Sequence, residues 1–208
     1  MSKVLYVYAN PKPLEQSYTL RLAKSFIDDY QKIHPQDAVT GLNLYKTDIP
    51  FINEDILSAW GKLGQGITLT ETEGVAVGRM SAILEQFTDA DKVIFGVPMW
   101  NFSFPPIVKA YIDNLVIAGK SFKYTAQGPI GLLNDKPVLL IQSRGGFYGQ
   151  EPMKTFEMAE SYFKNVLGFL GIHNFKALLC EGVNFTPDKA EDLLKNACDA
   201  GALLAKSF

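Results

Sequence analysis

The sequence has few of the residues that metal sites, disulfides and nucleophilic catalysis require. Its 208 residues include only two cysteines and two histidines. Cys180 and Cys198 lie far apart and form no CxxC motif, so we interpret them as reduced structural thiols. His34 and His173 have no cysteine or carboxylate at ligand spacing, so we expect no metal site. A GxSxG motif is also missing, which argues against a Ser-His-Asp hydrolase.

A charge imbalance and long apolar runs are missing as well. The net charge of −2 argues against a nucleic acid or an anionic membrane as the main partner, because both require a basic surface. No apolar run approaches the roughly 20 residues that a membrane-spanning helix needs. The first residues, MSKVLYVYANP, lack the features of a signal peptide, so we expect a cytoplasmic protein.

What the sequence does contain is a regular alternation of strand-like and helix-like segments. Near-continuous apolar runs predict buried parallel strands, and stretches with three- and four-residue apolar spacing predict the helices between them. The alternation predicts an α/β fold of one domain, residues 1–208, with a doubly wound five-stranded parallel sheet and helices on both faces. The predicted strands are residues 4–9, 38–45, 92–97, 136–143 and 175–183.

Two insertions interrupt this alternation. Residues 47–77 place the segment KLGQGITLTETEG between two helical pieces, and residues 121–133 contain Gly128 and Pro129 between β-prone residues. The second insertion predicts a hairpin. Insertions of this length usually act as lids or interfaces.

Three loops are predicted to meet at one edge of the sheet. In open parallel sheets, ligands bind beyond the carboxyl ends of the strands, where the strand order reverses. This rule selects the loops after the first, third and fourth strands, which are residues 9–19, 98–106 and 143–152.

The first of these loops ends in hydroxyl-bearing residues, Ser17, Tyr18 and Thr19, where a helix begins. Hydroxyls and free amides at a helix N-terminus form an anion site. The alternative is that Ser17 is simply an N-cap. The loop is neither a GxGxxG fingerprint nor a Walker A motif.

The third loop places Gly145 and Gly146 directly after Ser143 and Arg144. Glycine there lets the backbone approach a ligand closely, although a plain turn would also use glycine. Arg144 would pair either with a phosphate or with a carboxylate of a neighbouring element, and the sequence leaves both open.

The middle loop combines backbone amides, the side-chain amide of Asn101, and the bulk of Met99, Trp100 and Phe102. This combination suits a flat heteroaromatic ring, although each bulky residue alone would also fit core packing. A phosphate-type loop, a ring-type loop and a Gly-Gly loop at one edge describe a ligand with an anionic tail and a planar head. Flavin mononucleotide (FMN) fits that description.

The segments PMWNFSFPPIVKAYIDN, SFKYTAQGPIGLL and SRGG, in that order, resemble the FMN-dependent NADH-azoreductases of the flavodoxin-like superfamily. The resemblance covers essentially the whole chain. It implies a flavodoxin-like homodimer with one tightly bound FMN per subunit at or near the interface. It also implies NADH as the electron donor, and quinones and azo compounds as acceptors.

The resemblance assigns roles to residues of this chain. Ser17, Tyr18 and Thr19 would hold the phosphate, Met99–Phe102 would line the ring with main-chain amides directed at its heteroatoms, and Ser143–Gly146 would flank its polar edge. Phe122 and Tyr148 would wall the substrate pocket. Two positions depart from the family pattern: Asn10 stands where a hydroxyl-bearing residue is more frequent, and Tyr148 where a histidine is frequent.

No side chain is expected to act as a catalytic group, because FMN carries the electron chemistry and the protein contributes position and exclusion of water. One stacking site shared by donor and acceptor predicts ping-pong kinetics. Two alternatives remain open: a flavodoxin-like electron carrier without a substrate of its own, and a flavin-free binding domain with the same architecture.

Overall fold

The computed structural model describes all residues from 1 to 208. Its centre is a five-stranded, all-parallel sheet in the order β2-β1-β3-β6-β7. The strands of this sheet are β1 (Lys3–Tyr8), β2 (Ala38–Asn43), β3 (Lys92–Gly96), β6 (Val138–Ser143) and β7 (Phe175–Cys180). The five predicted strands are confirmed, with ends that differ by up to three residues.

Helices cover both faces of the sheet, so the predicted three-layer arrangement is confirmed. One apolar cluster joins α1 and α6 to the sheet, and a larger one joins α3, α4 and α5 to the other face. The helices are α1 (Tyr18–Ile33), α2 (Glu54–Gly64), α3 (Glu71–Asp89), α4 (Pro106–Asp113), α5 (Ala159–Leu170) and α6 (Ala190–Leu204). None of them is long and apolar enough to cross a membrane.

The strand order reverses between β1 and β3, and this reversal locates the site. The chain moves from β1 outward to β2, then returns to β3 on the opposite side of β1. Tyr8 and Gly96 are paired at the carboxyl ends of β1 and β3. The loops that follow these strands therefore leave the sheet side by side, which is the position where doubly wound folds bind ligands.

The insertion at 47–77 is mainly helical, where the sequence suggested a long loop between helical pieces. The Asn53 side chain accepts a hydrogen bond from the amide of Ile56 and caps α2. Thr70 and Glu73 form a reciprocal capping box at the start of α3. These caps explain why two helices form here, since each satisfies amides that would otherwise lack acceptors.

The insertion at 121–133 is an antiparallel hairpin, as predicted. Its strands are β4 (Phe122–Thr125) and β5 (Gly128–Gly131). The hairpin packs on the end of α5, where the amide of Leu133 donates to the carbonyl of Leu170 at 3.0 Å. Because α5 runs antiparallel to the sheet, the hairpin lies at the end opposite to the three loops.

Candidate functional site

The three loops selected from the sequence meet at Ser143, the last residue of β6. The Ser143 amide donates to the Thr19 hydroxyl at 3.1 Å, and the two hydroxyls are 2.5 Å apart. The Ser143 carbonyl accepts from the amide of Met99 at 3.0 Å. Ser143 thus joins the loop before α1 to the loop after β3, and we call the edge formed by residues 17–19, 99–102 and 143–146 the three-loop rim.

The start of α1 combines an N-cap with free donors. The Ser17 hydroxyl accepts a hydrogen bond from the amide of Leu20 at 3.2 Å, so the capping role proposed as the alternative is present. The first amides of a helix have no intrahelical acceptor. With Ser17 capping Leu20, the amides of Tyr18 and Thr19 stay available for an anion, and the helix dipole favours its charge.

Asn10 organises the loop in front of this helix, a role that the sequence did not reveal. Its buried side-chain amide donates to the Ser17 hydroxyl at 2.7 Å and accepts from the amide of Lys12 at 3.0 Å. The side-chain amide of Asn10 therefore holds the Ser17 hydroxyl and also fixes the turn that follows.

The middle loop contains a tight turn with an uncommon backbone. Trp100 and Ser103 exchange both backbone hydrogen bonds, and Asn101 and Phe102 between them have positive φ angles of 48° and 71°. Left-handed φ is unfavourable for a bulky residue such as Phe, so the surrounding structure must hold it there. The turn leaves the amides of residues 101 and 102 without an acceptor in the chain.

Only part of the amide set predicted for a ring ligand is available. The amides of Met99 and Trp100 bond to the carbonyls of Ser143 and Ser103. The amides of Asn101 and Phe102, and the side-chain amide of Asn101, make no hydrogen bond within the chain. Of the four main-chain amides predicted to face a ring, only those of residues 101 and 102 are therefore free to bind one.

The aromatic residues of the turn, Trp100 and Phe102, lie at the surface and do not pack in the core. Trp100 is 37% exposed and Phe102 is 42% exposed. The Phe102 ring packs on Phe156, with centroids 5.2 Å apart, and edge-on against Tyr148 at 6.1 Å. The structure thus places Tyr148 beside the rim and adds Phe156, which the sequence analysis missed.

The Gly-Gly segment brings further unpaired donors to the rim. The amides of Gly145 and Gly146 donate no hydrogen bond within the chain, whereas their carbonyls accept from residues that follow β7. A Cβ at Gly145 would lie 2.9 Å from the side-chain nitrogen of Asn184. A side chain at this position would press on Asn184, and the amides of Gly145 and Gly146 have no acceptor within the chain.

The Arg144 side chain faces into the protein, where it is only 1% exposed. Its guanidinium donates to carboxylates of Glu157 and Glu181, each at 3.1 Å, and of Glu160 at 3.3 Å. Its Nε donates to the Gln142 side chain at 2.9 Å. The carboxylate pairing that the sequence left open is therefore the one present, and the place of residue 144 beside the polar edge of the ring stays a prediction.

Arg144 instead positions the loop. Glu157 also accepts from the amides of Ala159 and Glu160 at the start of α5, and Glu181 accepts from the amide of Tyr148 at 2.9 Å. One buried guanidinium therefore ties the end of β6 to the start of α5 and to the loop after β7.

Phe122 lies away from the rim of its own chain. It is 7% exposed and packs on Phe169 with ring centroids 4.7 Å apart. Residue 158, at the other end of α5, bonds to the carbonyl of Phe102. At about 1.5 Å per residue, α5 separates the two ends by roughly 16 Å. Tyr124, on the same hairpin, is 75% exposed.

The thiol of Cys180, at the end of β7, is not activated as a nucleophile. Burial raises the pKa of Cys180 to about 11, and its carbonyl accepts the amide of Arg144. A thiol with this pKa stays protonated near neutral pH and is a poor nucleophile.

Comparison with known proteins identifies the family. A family model described as a flavodoxin-like fold (Flavodoxin_2) matches residues 2–203. The chain belongs to this family. A curated FMN-dependent NADH:quinone oxidoreductase from Staphylococcus aureus (strain bovine RF122 / ET3-1) is 47% identical over 208 residues, which is the full length of both chains.

Solved structures agree with this membership in the flavodoxin-like fold family. A crystal structure of an azoreductase from Bacillus anthracis str. Sterne has a TM-score of 0.94 and 42% identity, with both chains fully covered. An FMN-dependent NADH-azoreductase from Bacillus anthracis str. Ames Ancestor, in complex with FMN, has a TM-score of 0.89 and 33% identity. It covers 99% of this chain and is itself fully covered.

The residues of the three-loop rim fit FMN. An anionic phosphate suits the amides at the start of α1, and the flat ring has acceptor atoms that suit unpaired amides. Four such amides belong to residues 101, 102, 145 and 146. The half-buried Met99 side chain and the exposed Trp100 ring supply apolar surface beside them.

Proposed function

We propose that this protein is an FMN-dependent NADH oxidoreductase that reduces quinones and azo compounds by two-electron hydride transfer. The observation that carries the proposal is the junction at Ser143, which gathers an anion site and a set of unpaired amides at one sheet edge. Relatives of full length with the names given above support the same activity.

Each part of the rim has a role in this proposal. The amides of Tyr18 and Thr19 bind the phosphate, and the Ser17 hydroxyl fixes the start of the helix. The amides of Asn101, Phe102 and the Gly-Gly segment orient the ring edge. When bound, FMN supplies the capacity to accept and donate a hydride. Trp100 and Phe102 exclude water beside it, and donor and acceptor take turns at one stacking site, which gives ping-pong kinetics.

We further propose that the active unit is a homodimer of single-domain subunits, each formed by residues 1–208. The separation of Phe122 from the rim supports this proposal, because a hairpin can wall a substrate pocket only if it reaches the rim of a partner subunit. Within the hairpin, Tyr124 replaces Phe122 in this role, since Phe122 is buried and Tyr124 projects outward. The two free cysteines are consistent with a cytoplasmic location.

Rapid mixing of the FMN-loaded protein with NADH tests the function. We expect the flavin absorbance near 450 nm (roughly the band of oxidised flavin) to fall without an added reductase and to recover when a quinone is added. An electron carrier would not be reduced by NADH alone, and a flavin-free domain would take up no FMN. Either result would contradict the proposal.

Replacing Ser17 with Ala is expected to weaken FMN binding more than riboflavin binding, because riboflavin lacks the phosphate. The lost hydrogen bonds and cap correspond to roughly tenfold in the dissociation constant of FMN. Fluorescence titration of the apoprotein with both flavins measures the effect. Equal losses for the two flavins would show that the start of α1 does not bind the phosphate.

Replacing Asn101 with Gly is expected to weaken FMN and riboflavin equally, since Asn101 faces the ring that both share. Glycine keeps the positive φ of 48° without strain, so the fold should be unchanged. We expect roughly tenfold weaker binding for the loss of one ring hydrogen bond. Unchanged affinity for both flavins would remove the Asn101 side chain from the site.

A further inference from the structure

A second cavity, with a volume of about 740 Å³, lies between α1, the edge strand β2 and the loop after β1. The lining includes Asn10 and Lys12 of the first loop and Leu20 of α1, but no residue of the middle loop or of the Gly-Gly segment. The cavity therefore borders the first loop but contains none of the residues that form the three-loop rim. Its volume is within the range of about 300–1,000 Å³ that is typical of small-molecule sites.

One wall of the cavity is aromatic. Tyr6 and Tyr8 stack with ring centroids 4.9 Å apart and an interplanar angle of 16°. A Cβ at Gly96 would lie 2.7 Å from the Tyr6 ring, so glycine at this position on β3 lets the ring lie flat on the sheet. Tyr45 adds a third ring to the lining. The arrangement offers extended aromatic surface to a planar group.

The Tyr6 hydroxyl is an unused donor. It makes no hydrogen bond within the chain, although most of the residue is covered. Burial raises the pKa of Tyr6 well above its ordinary value, so the hydroxyl stays protonated. A protonated hydroxyl at the cavity wall can donate to an anionic or carbonyl oxygen of a ligand.

The charged residues that line the cavity are all lysines. Lys24 pairs with Asp28 at 2.7 Å, whereas Lys12 and Lys46 form no salt bridge. No aspartate or glutamate is among the thirteen lining residues. Pro11 and Pro13 restrict the backbone on both sides of Lys12. Two unpaired ammonium groups beside an aromatic wall favour a ligand that is both flat and negatively charged.

We propose that this cavity is a second ligand site, which binds a planar aromatic compound carrying one sulfonate or carboxylate group. The ring lies against the stacked tyrosines, the Tyr6 hydroxyl donates to the anionic group, and Lys12 and Lys46 neutralise its charge.

The second site is coupled to the three-loop rim through Asn10, a step that rests on the proposed function. The Asn10 side chain bonds to the Lys12 amide on the cavity side and to the Ser17 hydroxyl on the rim side. An occupant that holds Lys12 therefore also holds the loop that binds the FMN phosphate. Since binding linkage is reciprocal, each ligand tightens the other.

Calorimetric titration of the FMN-loaded protein with naphthalene-2-sulfonate tests the site. We expect one saturable site per chain with the flavin retained. Tyr6→Phe removes only the hydroxyl and should weaken binding roughly tenfold. Lys12→Gln combined with Lys46→Gln should weaken it roughly fivefold. Lys195→Gln, on an exposed lysine of α6, is the matched control and should bind like the unmodified protein.

Three results would overturn the second site. They are no saturable binding of the probe, unmodified affinity for the probe in both cavity variants, and displacement of FMN by the probe. The FMN dissociation constant measured with saturating probe should fall about threefold. An unchanged FMN constant would remove the coupling through Asn10. Binding of the probe by a protein that takes up no FMN would support the cavity and contradict the proposed function, so the two failures are distinguishable.

Discussion

Replacing Arg144 with Met is expected to cost about 3–5 kcal/mol of folding free energy, the largest loss for any side chain of the site. The substitution leaves Glu157, Glu160 and Glu181 facing one another without the buried cation that binds all three. Removing one partner of a buried ionic network is costly because the remaining charges are both desolvated and repelled. Urea unfolding at neutral pH measures the loss.

The same variant should also release FMN faster, because Arg144 ties the Gly-Gly segment to the start of α5. The matched control is Arg79→Met, which breaks an exposed ion pair with Asp48 at 3.0 Å. Exposed pairs contribute about 1 kcal/mol or less. If Arg144→Met and Arg79→Met lost similar folding free energy, the ionic network around Arg144 would not be what holds the Gly-Gly segment in place.

Replacing Gly131 with Ala is expected to destabilise the protein by about 3 kcal/mol, at the upper end of overpacking effects. A Cβ at this position would overlap the backbone of Leu170 and Gly171 at the end of α5. Backbone atoms cannot rotate away as a flexible side chain can, so the hairpin must shift. Thermal unfolding measures the loss, and the oligomeric state shows whether the shifted hairpin still supports a dimer.

Gly78→Ala is the matched control for this prediction. Gly78 lies in α3, and a Cβ there meets no atom within 4 Å. Alanine in a helix interior is favoured over glycine by about 1 kcal/mol, so this variant should be slightly stabilised. A Gly131 variant as stable as the unmodified chain would mean that the hairpin is not packed tightly on α5.

The sheet and the location of the site could be predicted because both depend on local patterns. Apolar strand runs separated by helical spacing determine a parallel sheet, and the carboxyl ends of its strands must share one edge. The hairpin around Gly128 and Pro129 was equally local. The fold, the three loops and the turn residues therefore followed from the sequence.

Contacts between distant segments could not be predicted in this way. The partners of Arg144 come from the segment just before α5, from the first turn of α5 and from the loop after β7, and nothing in the sequence near Arg144 indicates them. Phe122 and Tyr124 lie on the same face of the hairpin, with ring centroids 5.4 Å apart, and the choice between them depended on which of the two reaches Phe169 of α5. The two helical pieces around residues 62–74 are present as helices at 54–64 and 71–89, but the early start of the second was missed, although Thr70 with Glu73 is a recognisable cap.

The turn at residues 100–103 has a consequence for how a ligand is received. Because Asn101 and Phe102 have left-handed φ angles and the paired Trp100 and Ser103 fix the turn, contacts within the chain set the direction of both amides. A flavin would therefore meet a preformed surface and lose little affinity to loop ordering. Backbone positions at this turn should then coincide in crystals grown with and without FMN.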